Sequence, residues 1–89
     1  MLPLTVKILF DKRSKDAPYV AYNPEFDVAS CGSTEEIARG NLKEAIEIFI
    51  EEAQKHGKLT ETLKELGFQK DKQGWIPPRV SFETFHLSA

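Results

Sequence analysis

A run of spaced apolar residues between Ser33 and Gly57, STEEIARGNLKEAIEIFIEEAQKHG, constrains this chain more than any other feature. Ala38, Leu42, Ala45, Ile46, Phe49 and Ala53 recur every three or four residues, and Ile37 and Ile50 widen the stripe. That is the pattern of one long amphipathic helix with a buried face. Ser33 with Glu36 three positions later fits a capping box at the helix start, with Thr34 as the competing cap, and Glu35 adds negative charge where the helix dipole favours it. Lys55 and His56 suit the last turn, and Gly57 can take the left-handed conformation that closes a helix. At about 1.5 Å per residue the helix is roughly 34 Å long, the diameter of a small domain, so the rest of the chain must be laid along it. Gly40 costs about 1 kcal/mol relative to alanine and reads as a close approach of another backbone, with tolerated weakness as the alternative.

Around that helix there is room for one domain, residues 1–89, with a modest core that oligomerisation would help. A hydrophobic content of 40% with six Phe, two Tyr and one Trp is that of a folded chain rather than a disordered one. No apolar run is long enough to span a bilayer, and MLPLTVKILFDK lacks the basic segment and cleavage site of a signal peptide, so no membrane association and a cytoplasmic location are expected. The single Cys31 cannot form an internal disulfide. A net charge of −2 argues against a general nucleic-acid coat and favours a basic partner.

Leu4, Val6, Ile8 and Phe10 alternate with Thr5, Lys7 and Leu9 as a first strand does. The charged DKRSKDAP loop follows, then the strand-forming YVAY, which pairs with the first strand as an antiparallel hairpin. Asn23 and Pro24 break this second strand, Glu25 to Asp27 turn the chain, and Val28 to Cys31 make a third that enters the helix through Gly32. The fold class expected is α+β: an antiparallel sheet of three to four strands, element order βββα, short α, β, with the long helix packed on one face. Leu59, Leu63 and Leu66, with Thr60 as cap and Gly67 as stop, predict the short helix. FQKDKQG reads as a polar turn, Trp75 and Ile76 as an anchor, and Arg79 to Leu87 as a closing strand, so the core motif lies in 19–57 and a short helix and strand in 58–89. Val80 and Phe82 share one face of that strand and Phe85 and Leu87 the other. Either a bulge shifts the register or both faces are covered, one by the helix and one by a second subunit, and the latter is preferred because an uncovered strand of this kind aggregates.

The run YVAYNPEFDVASCGSTEEIARGNLKEAIEIFIEE resembles the HicB-like antitoxin family. The resemblance is carried by Tyr19-Val20-Ala21-Tyr22 with Pro24-Glu25, by Ser30, Gly32 and Thr34, and by Ala38, Asn41-Leu42, Glu44-Ala45-Ile46 and Glu51-Glu52. It departs from the family at Phe26 to Ala29, where relatives commonly carry Leu-Pro-Gly-Cys, and at Ile37, where many are acidic; from Lys58 onward it is weak. The resemblance implies a partial ribonuclease-H-like fold without catalytic acids and a partner of the HicA type, a small basic mRNA-cleaving toxin neutralised by occlusion. It also implies a C-terminal DNA-binding module in full-length members. No such module is read here, so direct DNA binding by this chain is not expected.

The chemistry-bearing residues point the same way. Cys31 lies before a helix N-terminus, where a thiol can be activated, but no histidine is near it in sequence and a buried inert thiol is the simpler reading. His56 and His86 give no metal-ligand spacing with it. Glu25, Asp27, Glu35 and Glu36 gather near the helix start as a cap and solvated rim, or, in the sharper reading, as an acidic face toward a basic toxin. Glu25, Asp27, Glu35, Val80, Phe82 and Phe85 are thus the candidate partner or dimer interface. Lys12, Arg13 and Lys15 form the basic cluster that could touch phosphate. The chain is expected to be a non-enzymatic, cofactor-free antitoxin-like binding module and homo-oligomer. The alternative is a homo-oligomeric scaffold or small-ligand regulator of the same fold without a toxin; nucleic-acid binding ranks third and enzyme activity last.

Overall fold

The alternating residues of the first third of the chain become a three-stranded antiparallel sheet: β1 (Lys7–Phe10), β2 (Tyr19–Asn23) and β3 (Val28–Gly32), in that order. The computed structural model describes residues 2–89, so Met1 of the N-terminal stretch lies outside it. Register sets Ile8 opposite Ala21 and Ala21 opposite Ser30, while Leu9, Val20 and Cys31 line up on the other face. The long helix α1 (Glu35–Lys55) packs on β2 and β3, burying Ala38, Leu42 and Ile46 against Ala21. The fold is α+β, as the element pattern predicts.

The start of α1 is decided by Thr34. Its backbone is extended and its Oγ1 accepts from the Ile37 amide at 3.1 Å, so Thr34 and not Ser33 is the cap and no Ser33–Glu36 box forms. At the other end Gly57 has φ 66°. The Lys58 amide donates to the Ala53 carbonyl at 2.8 Å and the Gly57 amide to that of Gln54 at 3.0 Å, the paired bonds of a Schellman closure. The close backbone approach expected at Gly40 occurs at Gly32 instead. A side chain at Gly32 would meet the Ala38 amide at 2.6 Å, whereas one at Gly40 would meet nothing.

Helix α2 (Leu59–Glu65) begins at Lys58 without a side-chain cap, so Thr60 does not serve as one. It closes like α1: Gly67 has φ 94°, and the Phe68 amide donates to the Leu63 carbonyl at 2.9 Å. Leu63 and Phe68 are both buried, which ties this closure to the core. Phe26 joins the two halves, with ring centroids 5.6 Å from Phe49 of α1 and 5.6 Å from Phe68.

Two corrections concern the last third. The segment read as a polar turn is a hairpin, β4 (Gln69–Asp71) and β5 (Gly74–Ile76), whose bend is held by Asp71 Oδ1 accepting from the Gln73 and Gly74 amides. The closing strand expected at Arg79 to Leu87 does not form: residues 77–89 pair with no strand, and 81–89 are exposed throughout. Pro77 and Pro78 supply no amide protons for a ladder, and Pro78 sits against Gly67. A strand-forming sequence makes a strand only where a ladder partner is in reach. The Cα radius of gyration, 15.4 Å, exceeds the roughly 12 Å of a compact domain this size, as expected of a body with a projecting tail.

Candidate functional site

The four acids read as one rim are split by the fold. Glu25 is turned inward and only 7% exposed. Its Oε1 accepts from the Thr5 amide at 2.7 Å and from Asn23 Nδ2 at 2.6 Å, and its Oε2 from the Thr5 hydroxyl at 2.6 Å. Asn23, itself fully buried, also donates to the Thr5 carbonyl and accepts from the Phe26 amide. Together these bonds clamp an N-terminal arm, residues 2–6, to the β2–β3 turn, and they end β1 at Lys7, short of the Leu4 start its alternation predicts. Glu25 therefore lies in the interior, bonded to the arm, rather than on an exposed acidic rim.

Asp27 is exposed in that turn with φ 55°, accepting from the Tyr22 hydroxyl at 2.9 Å; this bond raises the Tyr22 pKa above its ordinary value. Glu35 lies beyond the opposite end of β3, and five residues at about 3.3 Å each separate the two by roughly 16 Å. The Phe26–Phe49 stacking places the Asp27 turn beside the second half of α1, not its start. Glu35 instead approaches Arg39 at 3.9 Å on the helix surface, a contact of little energetic weight.

In the β1–β2 loop the Arg13 guanidinium is engaged by Asp11, with Nε to Oδ1 at 2.9 Å and Nη2 to Oδ2 at 3.1 Å. The pair holds the Asp11 carboxyl below and Arg13 above their usual values. Lys12 and Lys15 remain exposed at the loop tip, so the basic cluster presents two lysines and a neutralised arginine. Cys31, expected buried, is exposed, because its position in β3 points away from α1, and its carbonyl accepts from Asn41 Nδ2 at 2.9 Å. His56 caps α1 with its ring 3.6 Å from Glu52. Among the described residues no group of three or more His, Cys, Asp or Glu is placed to hold a metal ion, and no helix is long and apolar enough to cross a membrane. Val80 is half-buried, whereas Phe82 and Phe85 stand 59% and 75% exposed on the tail.

Two surfaces emerge that the sequence pattern did not single out. On α1, Ile37, Asn41, Glu44, Ile48, Glu51 and Lys55 succeed one another on the side turned from the core, with Asn41 tied to β3 and Ile37 and Ile48 47% and 53% exposed. Ile37, expected to widen the buried stripe, thus belongs to the solvent face. The helix carries six glutamates against Arg39, Lys43 and Lys55, a net charge of 3 − 6 = −3. The second surface is a groove of about 530 Å³ between the N-terminal arm and α1, floored by Leu2, Leu4, Val6, Leu42, Ile46 and Ile50 and rimmed by Arg39, Lys43 and Glu47. The signal for the first was present in the chain: isoleucines at positions 37 and 48, off the main stripe. The groove depends on where the arm is pinned, by the Glu25 and Asn23 bonds to Thr5 and by Leu2 and Leu4 packed against the core.

No protein-family model, curated protein or solved structure matches the chain. Five residues of the run from β2 into α1 have structural roles here. Tyr22 and Glu25 hold the turn, Gly32 admits the helix start, Thr34 caps it, and Asn41 ties it to β3.

Proposed function

We propose that this chain is a protein-binding module of the HicB-like antitoxin type, acting in the cytoplasm by covering a small basic HicA-type ribonuclease. The observation that carries the reading is the solvent face of α1, where Ile48 stands exposed between Glu44 and Glu51, with Ile37 exposed two turns before Glu44, on a helix of net charge −3. Exposed apolar side chains ringed by carboxylates suit a basic protein surface, with the charges speeding encounter and the isoleucines supplying buried contact. This face replaces the Glu25–Asp27 rim as the proposed contact.

The test is co-expression with a small basic ribonuclease of the HicA type, followed by size-exclusion chromatography with light scattering and an RNA-cleavage assay. A stable complex that silences cleavage is expected, with Glu44→Lys/Ile48→Lys weakening it by at least tenfold, about 1.4 kcal/mol or more, while leaving the circular dichroism unchanged. An undiminished complex in that variant would remove α1 as the contact, and no complex with the wild-type chain would remove the antitoxin reading. The second reading, a self-associating scaffold without a toxin, is favoured by the exposed apolar tail.

A further inference from the structure

We propose that residues 79–87 of one copy add as a strand to the free edge of β1 and its arm in a second copy, seating Val80 and Phe82 in the groove beside α1 and making a tail-exchanged dimer. The inference deepens the self-association in the second reading and needs no toxin. It starts from an unmatched pair of surfaces. Among the described residues β1 pairs only with β2, which leaves its outer edge open, and α1 covers β2 and β3 but leaves the groove over the β1 side. The tail brings Phe82, Phe85 and Leu87, all largely exposed, and contributes nothing to that groove in its own copy.

Length, pattern and charge fit together. Residues 79–87 make a nine-residue segment about 30 Å long when extended, enough to run beside the arm and all of β1, residues 3–11. In a parallel alignment that sets Glu83 opposite Lys7, Val80 falls opposite Leu4, Phe82 opposite Val6 and Phe85 opposite Leu9. Even-numbered positions then face the groove, beside Leu42 and Ile46, and odd-numbered positions continue the outer face that Leu9 and Val20 share. An added strand would be covered by the groove on one face and join an apolar sheet surface on the other, which accounts for a tail that is apolar on both sides. Addition to an open edge also satisfies backbone groups that the tail and β1 leave unpaired. The occupant is a second copy rather than the chain's own tail because in its own copy the tail pairs with no strand, lines no part of the groove and is exposed from residue 81 to 89.

Light scattering on the full chain at about 100 μM, with no other protein present, tests this. The expected mass is twice the 10.1 kDa of one chain. Phe82→Asp/Phe85→Asp is expected to give the one-chain mass with unchanged circular dichroism, since both side chains are free of the body in a single copy. Glu83→Lys is expected to weaken dimerisation by roughly 2- to 10-fold, and adding Lys7→Glu to restore it. In a Cys31→Ser background, a Val6→Cys copy mixed with a Phe82→Cys copy should oxidise to a disulfide between two chains. A one-chain mass for the wild type, a dimer that survives Phe82→Asp/Phe85→Asp, or a Val6→Cys/Phe82→Cys chain that closes on itself would each overturn the proposal. A chain that dimerises this way yet binds no ribonuclease would keep it while removing the antitoxin reading.

Discussion

Glu25 shows how a residue's role is set by partners far away in the chain. A Pro-Glu pair in a turn between two strands reads as surface, and only Thr5, twenty positions earlier, makes it interior. Periodicity cannot report such a bond, because neither residue belongs to a repeating face. The clamp leads to a specific expectation about charge. Glutamine at position 25 keeps an oxygen for the Thr5 amide and Asn23 and offers an amide to the Thr5 hydroxyl, which can accept as well as donate. Glu25→Gln should therefore cost about 1 kcal/mol or less, while Glu25→Ala, which orphans buried donors, should cost roughly 2–4 kcal/mol in urea unfolding. Equal losses in the two variants would show that the carboxylate's charge, rather than its hydrogen-bond geometry, holds the arm. The exposed Ile37 and Cys31 were misplaced for a related reason: helix and strand periods assign a residue to a face, but which residues the neighbouring layer reaches depends on where that layer ends.

At the scale of elements, β1, β2, β3 and α1 were legible from their periods and their punctuation: Pro18 before β2, Pro24 after it, Gly32 closing β3 ahead of α1 and Gly57 behind α1. The β4–β5 hairpin was not, since Gln69-Lys70-Asp71 is wholly polar and three residues long, and its existence rests on Asp71 and Gly74 at the bend and on Trp75 packing toward the core. The two glycines at the helix start separate cleanly by local space. Gly40 lies in an exposed helix interior with no atom in the way of a side chain, so Gly40→Ala should stabilise by about 0.5–1 kcal/mol through helix propensity and a less free unfolded chain. Gly32 faces the Ala38 amide, a backbone atom that cannot swing aside, so Gly32→Ala should destabilise by about 1–3 kcal/mol. Thermal melts of the two variants should move in opposite directions. If Gly40→Ala also lowers the melting temperature, the helix start packs more tightly than its open surroundings indicate.

For the molecule as a whole, the question is whether one copy is a complete folding unit. A chain of 89 residues hides only about 60–65% of its unfolded surface, and here the fully buried apolar set is small, led by Phe68, Leu42 and Leu63. Meanwhile the tail, the β1 edge and the arm groove all leave apolar surface in water. Burying them between two copies would stabilise the folded state by mass action, because only folded chains present the groove. The melting temperature of the wild-type chain should then rise with protein concentration, by a few degrees between about 2 and 200 μM given that 1 kcal/mol moves a domain of this size by roughly 4–8 °C. Phe82→Asp/Phe85→Asp should melt at one temperature across that range, matching the dilute limit of the wild type. A wild-type melting temperature that ignores concentration would mean that the body from the arm to β5 is stable alone and that its exposed apolar surfaces await a different protein, as the α1 face does in the antitoxin reading.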